Sequence, residues 1–137
     1  MKDFQVIEHT ADVGIIARGK DLKETFANAA RGLFSLMVDS REIVEERCCN
    51  VEVTATDREA LLVEWLNELI YLFDVENLVF NRFEIVRLTD TALTASCYGQ
   101  KVVPGLHRIK MGVKATTYHM LKIEEGNGFR AQVLFDI

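Results

Sequence analysis

A single proline and three cysteines stand among 137 residues, and each scarcity closes off a class of protein. Three thiols, two of them adjacent at Cys48 and Cys49, cannot build a disulfide framework, and no CxxC spacing offers a zinc or redox centre. They read as reduced thiols in a strand. No stretch rich in proline, glycine or serine divides the chain, so one domain covering residues 1–137 is expected. Nowhere is there an apolar run long enough to cross a bilayer, and the opening MKDFQVIEHTADV lacks the apolar core of a signal peptide. The expectation is a soluble, cytoplasmic protein with no membrane role. Positive charge is also short: 16 Lys and Arg against 21 Asp and Glu leave a net charge of -5. That balance argues against a chain whose own task is to hold nucleic acid, which needs clustered cations to neutralise phosphates. One local basic run persists, with Lys101, His107, Arg108, Lys110 and Lys114 in one segment, and reads first as a solvated face. Phosphate-binding loop, nucleophile elbow and zinc signature are all missing, so most reaction classes have no residues to carry them.

What is present is material for a core, since 49% of residues are hydrophobic and 27% charged. A first strand is expected around Phe4–Glu8 and a second over Val13–Ala17, with His9-Thr10-Ala11-Asp12 between them. From Asp21 the apolar period becomes helical, placing Leu22, Phe26, Ala29, Ala30, Leu33, Leu36 and Met37 on one face. Asp21 and Glu24 have the spacing of a capping box. Thr56 and Glu59 have the same spacing ahead of a second helix, whose face carries Leu61, Leu62, Trp65, Leu66, Leu69, Ile70 and Phe73. Glu64 and Glu68 fall on its wet side. Alternation marks strands at Val51–Ala55 and from Val79, then a hairpin through Thr89-Asp90-Thr91 into Leu93, Ala95 and Cys97. Two more strands, Val113–Glu124 and Phe129–Ile137, flank the turn Glu125-Gly126-Asn127-Gly128. The class implied is α+β: two long amphipathic helices packed on one face of a mainly antiparallel sheet.

Carboxylates at strand ends are the candidates for chemistry, because hard cations such as Ca²⁺ and Mg²⁺ collect oxygens from separate parts of a chain. Asp12 and Asp136 have that placement. In the last strand Phe135 and Ile137 share one face and Asp136 takes the other, an acid set between apolar neighbours. The free carboxylate of Ile137 lies one peptide further on and offers a second anionic ligand, although a merely solvated terminus is the more ordinary reading of spacing alone. His9 reads more simply as a turn-fixing side chain than as a ligand or general base. Asp39 either joins a metal shell or begins a turn with Ser40.

Five segments, in order, resemble the archease family: HTADVGI at His9–Ile15, FANAARGLFSLMVD at Phe26–Asp39, LLVEWLNELIYLFD at Leu61–Asp74, VKATTYH at Val113–His119 and LFDI at Leu134–Ile137. The resemblance implies a non-catalytic activator of the RtcB-type RNA ligase of tRNA splicing. Such an activator promotes guanylylation of the ligase's active-site histidine and its multiple turnover, and broadens its nucleotide use. RNA is then met only through the ligase. It further implies a divalent metal site, seen as calcium in the family, formed by Asp12, Asp136 and Ile137, and leaves Lys114 as a charge that could face ligase or nucleotide. Two readings from the residues stay open beside it: a stand-alone metal-dependent hydrolase, and a general chaperone or interaction module.

Overall fold

A computed structural model describes residues 3–9 and 12–137. The strands are β1 (Phe4–His9), β2 (Asp12–Gly19), β3 (Arg47–Thr54), β4 (Leu78–Leu88), β5 (Ala92–Lys101), β6 (Ala115–Glu125) and β7 (Phe129–Asp136), and the helices are α1 (Leu22–Met37) and α2 (Arg58–Asp74). All strand pairs are antiparallel, which bears out the α+β class. The expected single sheet is in fact two: β1-β2-β7-β6 and β3-β5-β4. Alternation reveals that a segment is a strand but not its partner, and the long connection from Lys101 to Ala115 carries the chain from one sheet to the other.

The Asp21 carboxylate accepts from the Glu24 backbone N–H at 2.8 Å and caps α1 as expected. Glu24 answers by accepting from Lys20 N–H rather than from the cap residue itself. On α2 the cap lies one residue later than the spacing suggests. Asp57, extended at φ -156°, accepts from Ala60 N–H at 2.8 Å, so its carboxylate takes the place assigned to the Thr56 hydroxyl. Both helices lie across the two sheets, α1 against β2 and β4, α2 against β6 and β3. Their buried faces and the inner faces of the sheets make one core, in which Trp65, Phe26, Phe34 and Phe80 are among the largest fully buried side chains. Phe34 meets Phe73 and Phe80 edge-on and lies tilted against Phe83, a geometry suited to ring quadrupoles.

The cysteines are free and lie in strands, as expected: Cys48 and Cys49 on β3, Cys97 on β5 opposite Cys49. Burial pushes the Cys97 thiol well above its ordinary range, which keeps it unreactive. Gly99 is fixed by packing, since a Cβ there would lie 1.8 Å from the Val79 carbonyl oxygen. Among the described residues, no helix is long and apolar enough to cross a membrane.

Candidate functional site

Along β2 and β7, Val13, Ile15, Ala17, Ala131, Val133 and Phe135 belong to the core, so the residues between them take the opposite face of the sheet. Asp12 and Asp136 are on that outer face. They are also register partners, directly opposite across the β2–β7 ladder. Directly opposed residues of an antiparallel pair place their Cβ atoms about 4.5–5.5 Å apart. The same register line extends to His9 on β1 and Ala115 on β6, so one end of the four-stranded sheet is a row of four positions with the two acids at its centre. Lys114 N–H donates to the Asp136 carbonyl at 2.8 Å and ties the incoming strand to that row. Asp12 opens β2, whereas the sequence suggested a connection before the strand. Thr10 and Ala11 of the HTAD motif lie outside the described residues.

Two like charges placed directly opposite destabilise a strand pair unless something offsets them. Among the described residues no ion pair engages Asp12 or Asp136. The pair is accessible, Asp12 half-buried and Asp136 exposed, so water can enter and leave. Among the described residues the two carboxylates have no cationic side-chain partner, and hard oxygen donors are the ligand type that suits a hard divalent cation. Described His, Cys, Asp and Glu side chains nevertheless form no group of three that could hold a metal ion. Strand pairing sets the two aspartates opposite each other, and no third described His, Cys, Asp or Glu joins them. Ile137 follows Asp136 beyond the end of β7, 46% exposed, and is not a strand residue sharing an inner face with Phe135.

Asp39 resolves to the turn. Its Oδ1 accepts from Arg41 N–H at 3.1 Å, and its carboxylate takes the Arg41 guanidinium in a two-pronged pair, closest at 2.6 Å. Hydrogen bonding to Arg41 holds the Asp39 carboxyl at about 2, well below its ordinary 3.8. A depressed carboxylate pKa adds stability that is present above the ordinary value and lost as pH falls through the folded one. An NMR titration of the Asp39 side-chain carbon is expected to show its midpoint near 2, and Arg41→Ala to move it up toward 3.8. A midpoint unchanged by Arg41→Ala would remove the pair as its cause.

His107 belongs to the basic run in sequence but not in space. It is 5% exposed, and its Nδ1 accepts from Val103 N–H at 2.8 Å. The ring proton is therefore on Nε2, which faces the Glu42 carbonyl at 3.1 Å and Gln100 Oε1 at 3.2 Å. Gln100 Oε1 also accepts from Val44 N–H at 2.7 Å. His107 is thus a staple for the connection after β5, and no periodicity signals that in the sequence.

Comparison with known proteins bears on the whole chain. The model of the archease protein family matches residues 4–137. The chain is 37% identical to an archease of Methanosarcina acetivorans, over 99% of this chain and 97% of that one. It is 39% identical to an archease of Pyrococcus furiosus, over 100% of both. The solution structure of protein 1598 of Methanobacterium thermoautotrophicum superposes with a TM-score of 0.83 at 34% identity, covering 100% of each chain. A crystal structure of an archease from Thermotoga maritima, described as a possible chaperone, shares the fold at TM-score 0.60 and 23% identity, with 96% and 94% coverage.

Proposed function

Because the chain belongs to the archease family, we propose that it is a non-catalytic activator of an RtcB-type RNA ligase in the cytoplasm, acting through the Asp12 and Asp136 end of the four-stranded sheet. The observation that carries this reading is the register itself. Strand pairing brings together two carboxylates 124 positions apart in sequence, from 12 to 136, on an outer face and without a described cationic partner. A protein that served only as a scaffold has no use for that arrangement, which weakens the strand pair it sits in.

In this proposal Asp12, Asp136 and the terminal carboxylate of Ile137 would hold a divalent cation; the oxygen character of the set suits Ca²⁺ and Mg²⁺ alike, and the resemblance to the family favours calcium. When bound, the ion would offset two of the three carboxylate charges and offer a hard Lewis-acid centre to an oxygen of an anionic group. The residues themselves do the rest. β2 and β7, locked to each other by Val13, Phe135 and the core beneath, hold the two carboxylates on rigid backbone rather than on a loop. Lys114, exposed and one residue from the row, adds a positive charge beside it. The chain forms no covalent intermediate, the ligase supplies the reacting histidine, and RNA is met through the ligase.

The test is a turnover assay with purified ligase, RNA ends and GTP. Ligase alone is compared with ligase plus this chain, plus Asp12→Ala and plus Asp136→Ala. Guanylylation and multiple turnover are expected only with the unsubstituted chain, with the variants close to ligase alone. Equal turnover in all four reactions would reject the proposal. Both substitutions sit on the outer face, so the fold should tolerate them.

A further inference from the structure

At the C-terminal end of α1 the chain makes a second concentration of charge, separate from the carboxylate row. Lys110 N–H donates to the Met37 carbonyl at 2.8 Å, Asp39 N–H donates to the Arg108 carbonyl at 3.2 Å, and Val38 bridges Ile109. These backbone bonds stitch the connection between β5 and β6 to the helix end. Around the junction is an open depression of about 490 Å³ lined by Asp39, Arg41, Arg108, Ile109 and Lys110. Three cations and one carboxylate line it, in a chain whose net charge is -5. The surplus is therefore not a by-product of a basic protein.

Each charge can be accounted for in turn. Asp39 is neutralised by Arg41, which commits its Nε and Nη2 to the carboxylate. Among the described residues Arg41 Nη1 has no partner, and the side chain stays 85% exposed. Glu42 adds a further negative charge near Arg41 but does not line the depression. Lys110 Nζ donates to the Ser35 carbonyl at 2.8 Å, in the last turn of α1, and so offsets a helix terminus worth roughly half a negative charge. Among the described residues Arg108 has no acidic partner, and it is exposed. What remains is a cationic concavity with free guanidinium N–H groups. Guanidinium forks match the tetrahedral oxygens of phosphate, and a nearby ammonium adds a point charge.

We infer that this depression is a phosphate site, with Arg108 and the free edge of Arg41 donating to the phosphate oxygens and Lys110 supplying charge from the helix end. Two sources share this recognition chemistry, a free nucleotide and the RNA strand that the ligase brings to the chain. Arg108 is the determinant, because it alone has no other described task. Asp39 positions Arg41 rather than contacting the ligand.

The experiment needs only this chain. Tripolyphosphate and a short single-stranded oligouridylate are titrated into the labelled protein at low salt, following backbone amides by NMR. Shifts are expected to centre on residues 39–41 and 108–110. Arg108→Ala should weaken binding about fivefold or more, and RNA affinity should fall with salt at a log–log slope of about −1.4 to −2.1, as for two or three neutralised phosphates. Arg87→Ala, an exposed cation on β4 near the opposite end of α1, should leave affinity unchanged. Binding of tripolyphosphate alone identifies free nucleotide phosphate as the source, and binding of RNA alone identifies the strand. Failure of both probes, shifts lying elsewhere, or equal losses in Arg108→Ala and Arg87→Ala would overturn the site. None of these results depends on the ligase.

Discussion

Trp65→Ala is expected to destabilise the fold by about 3–5 kcal/mol, the cost of deleting a large aromatic from a packed interior. Trp65 is completely buried and meets Phe83 edge-on at 6.2 Å between ring centroids. Its Nε1 donates to the Phe26 carbonyl at 3.0 Å, so one side chain of α2 locks onto the backbone of α1. Its removal opens a cavity at the helix–helix contact and cuts the only described side-chain hydrogen bond between the two helices. Domains of this size have about 5–15 kcal/mol in all, so the variant should lose a large part of its stability. Urea unfolding measures it. Trp65→Phe keeps most of the ring and should cost less, with about 1 kcal/mol assignable to the lost hydrogen bond. A loss below about 1 kcal/mol for the alanine variant would mean that the helices repack freely around the gap.

Amidating the terminal carboxylate of Ile137, or extending the chain by one glycine, is expected to weaken calcium binding by roughly tenfold or more, a loss of about 1.4 kcal/mol. The expectation follows from the proposed site, in which Asp12 and Asp136 supply two side-chain carboxylates and described side chains offer no third. Ile137→Ala changes only the side chain, which is 46% exposed, and should leave affinity nearly as it was. Asp12→Ala should reduce it further than amidation does, since it removes a ligand that is fixed on a strand. Titration calorimetry distinguishes these variants. Equal affinities for the amidated and free chains would exclude the terminus as a ligand while leaving the two aspartates to be judged by the ligase assay.

Much of the local structure was legible because it depends on neighbours in sequence. The helical period of Leu22 to Met37 and of Leu61 to Phe73 reports which side chains must leave water, and both helices form there. Asp21 caps α1 because its partner is only three residues away, and the hairpin through Thr89-Asp90-Thr91 closes as its residue types suggest. Where two acceptors competed within one turn, at Thr56 and Asp57, spacing could not choose, and the carboxylate took the cap. The site was only half legible. An acid near the chain end could be noticed, but its pairing with Asp12 needs the β2–β7 register, which no local pattern encodes.

The basic run shows the same division. In sequence, His107, Arg108 and Lys110 look alike, yet His107 is buried as a staple between Val103, Glu42 and Gln100, while Arg41, outside the run, joins Arg108 and Lys110 in space. By itself the sequence determined the elements, the apolar faces and the family, since these follow from periodicity, capping and ordered motifs. Tertiary structure alone decided that there are two sheets, that Asp12 faces Asp136, and that a cationic depression forms at the end of α1. Each of those rests on contacts between residues far apart in the chain, whose geometry is set by the packing of the whole core.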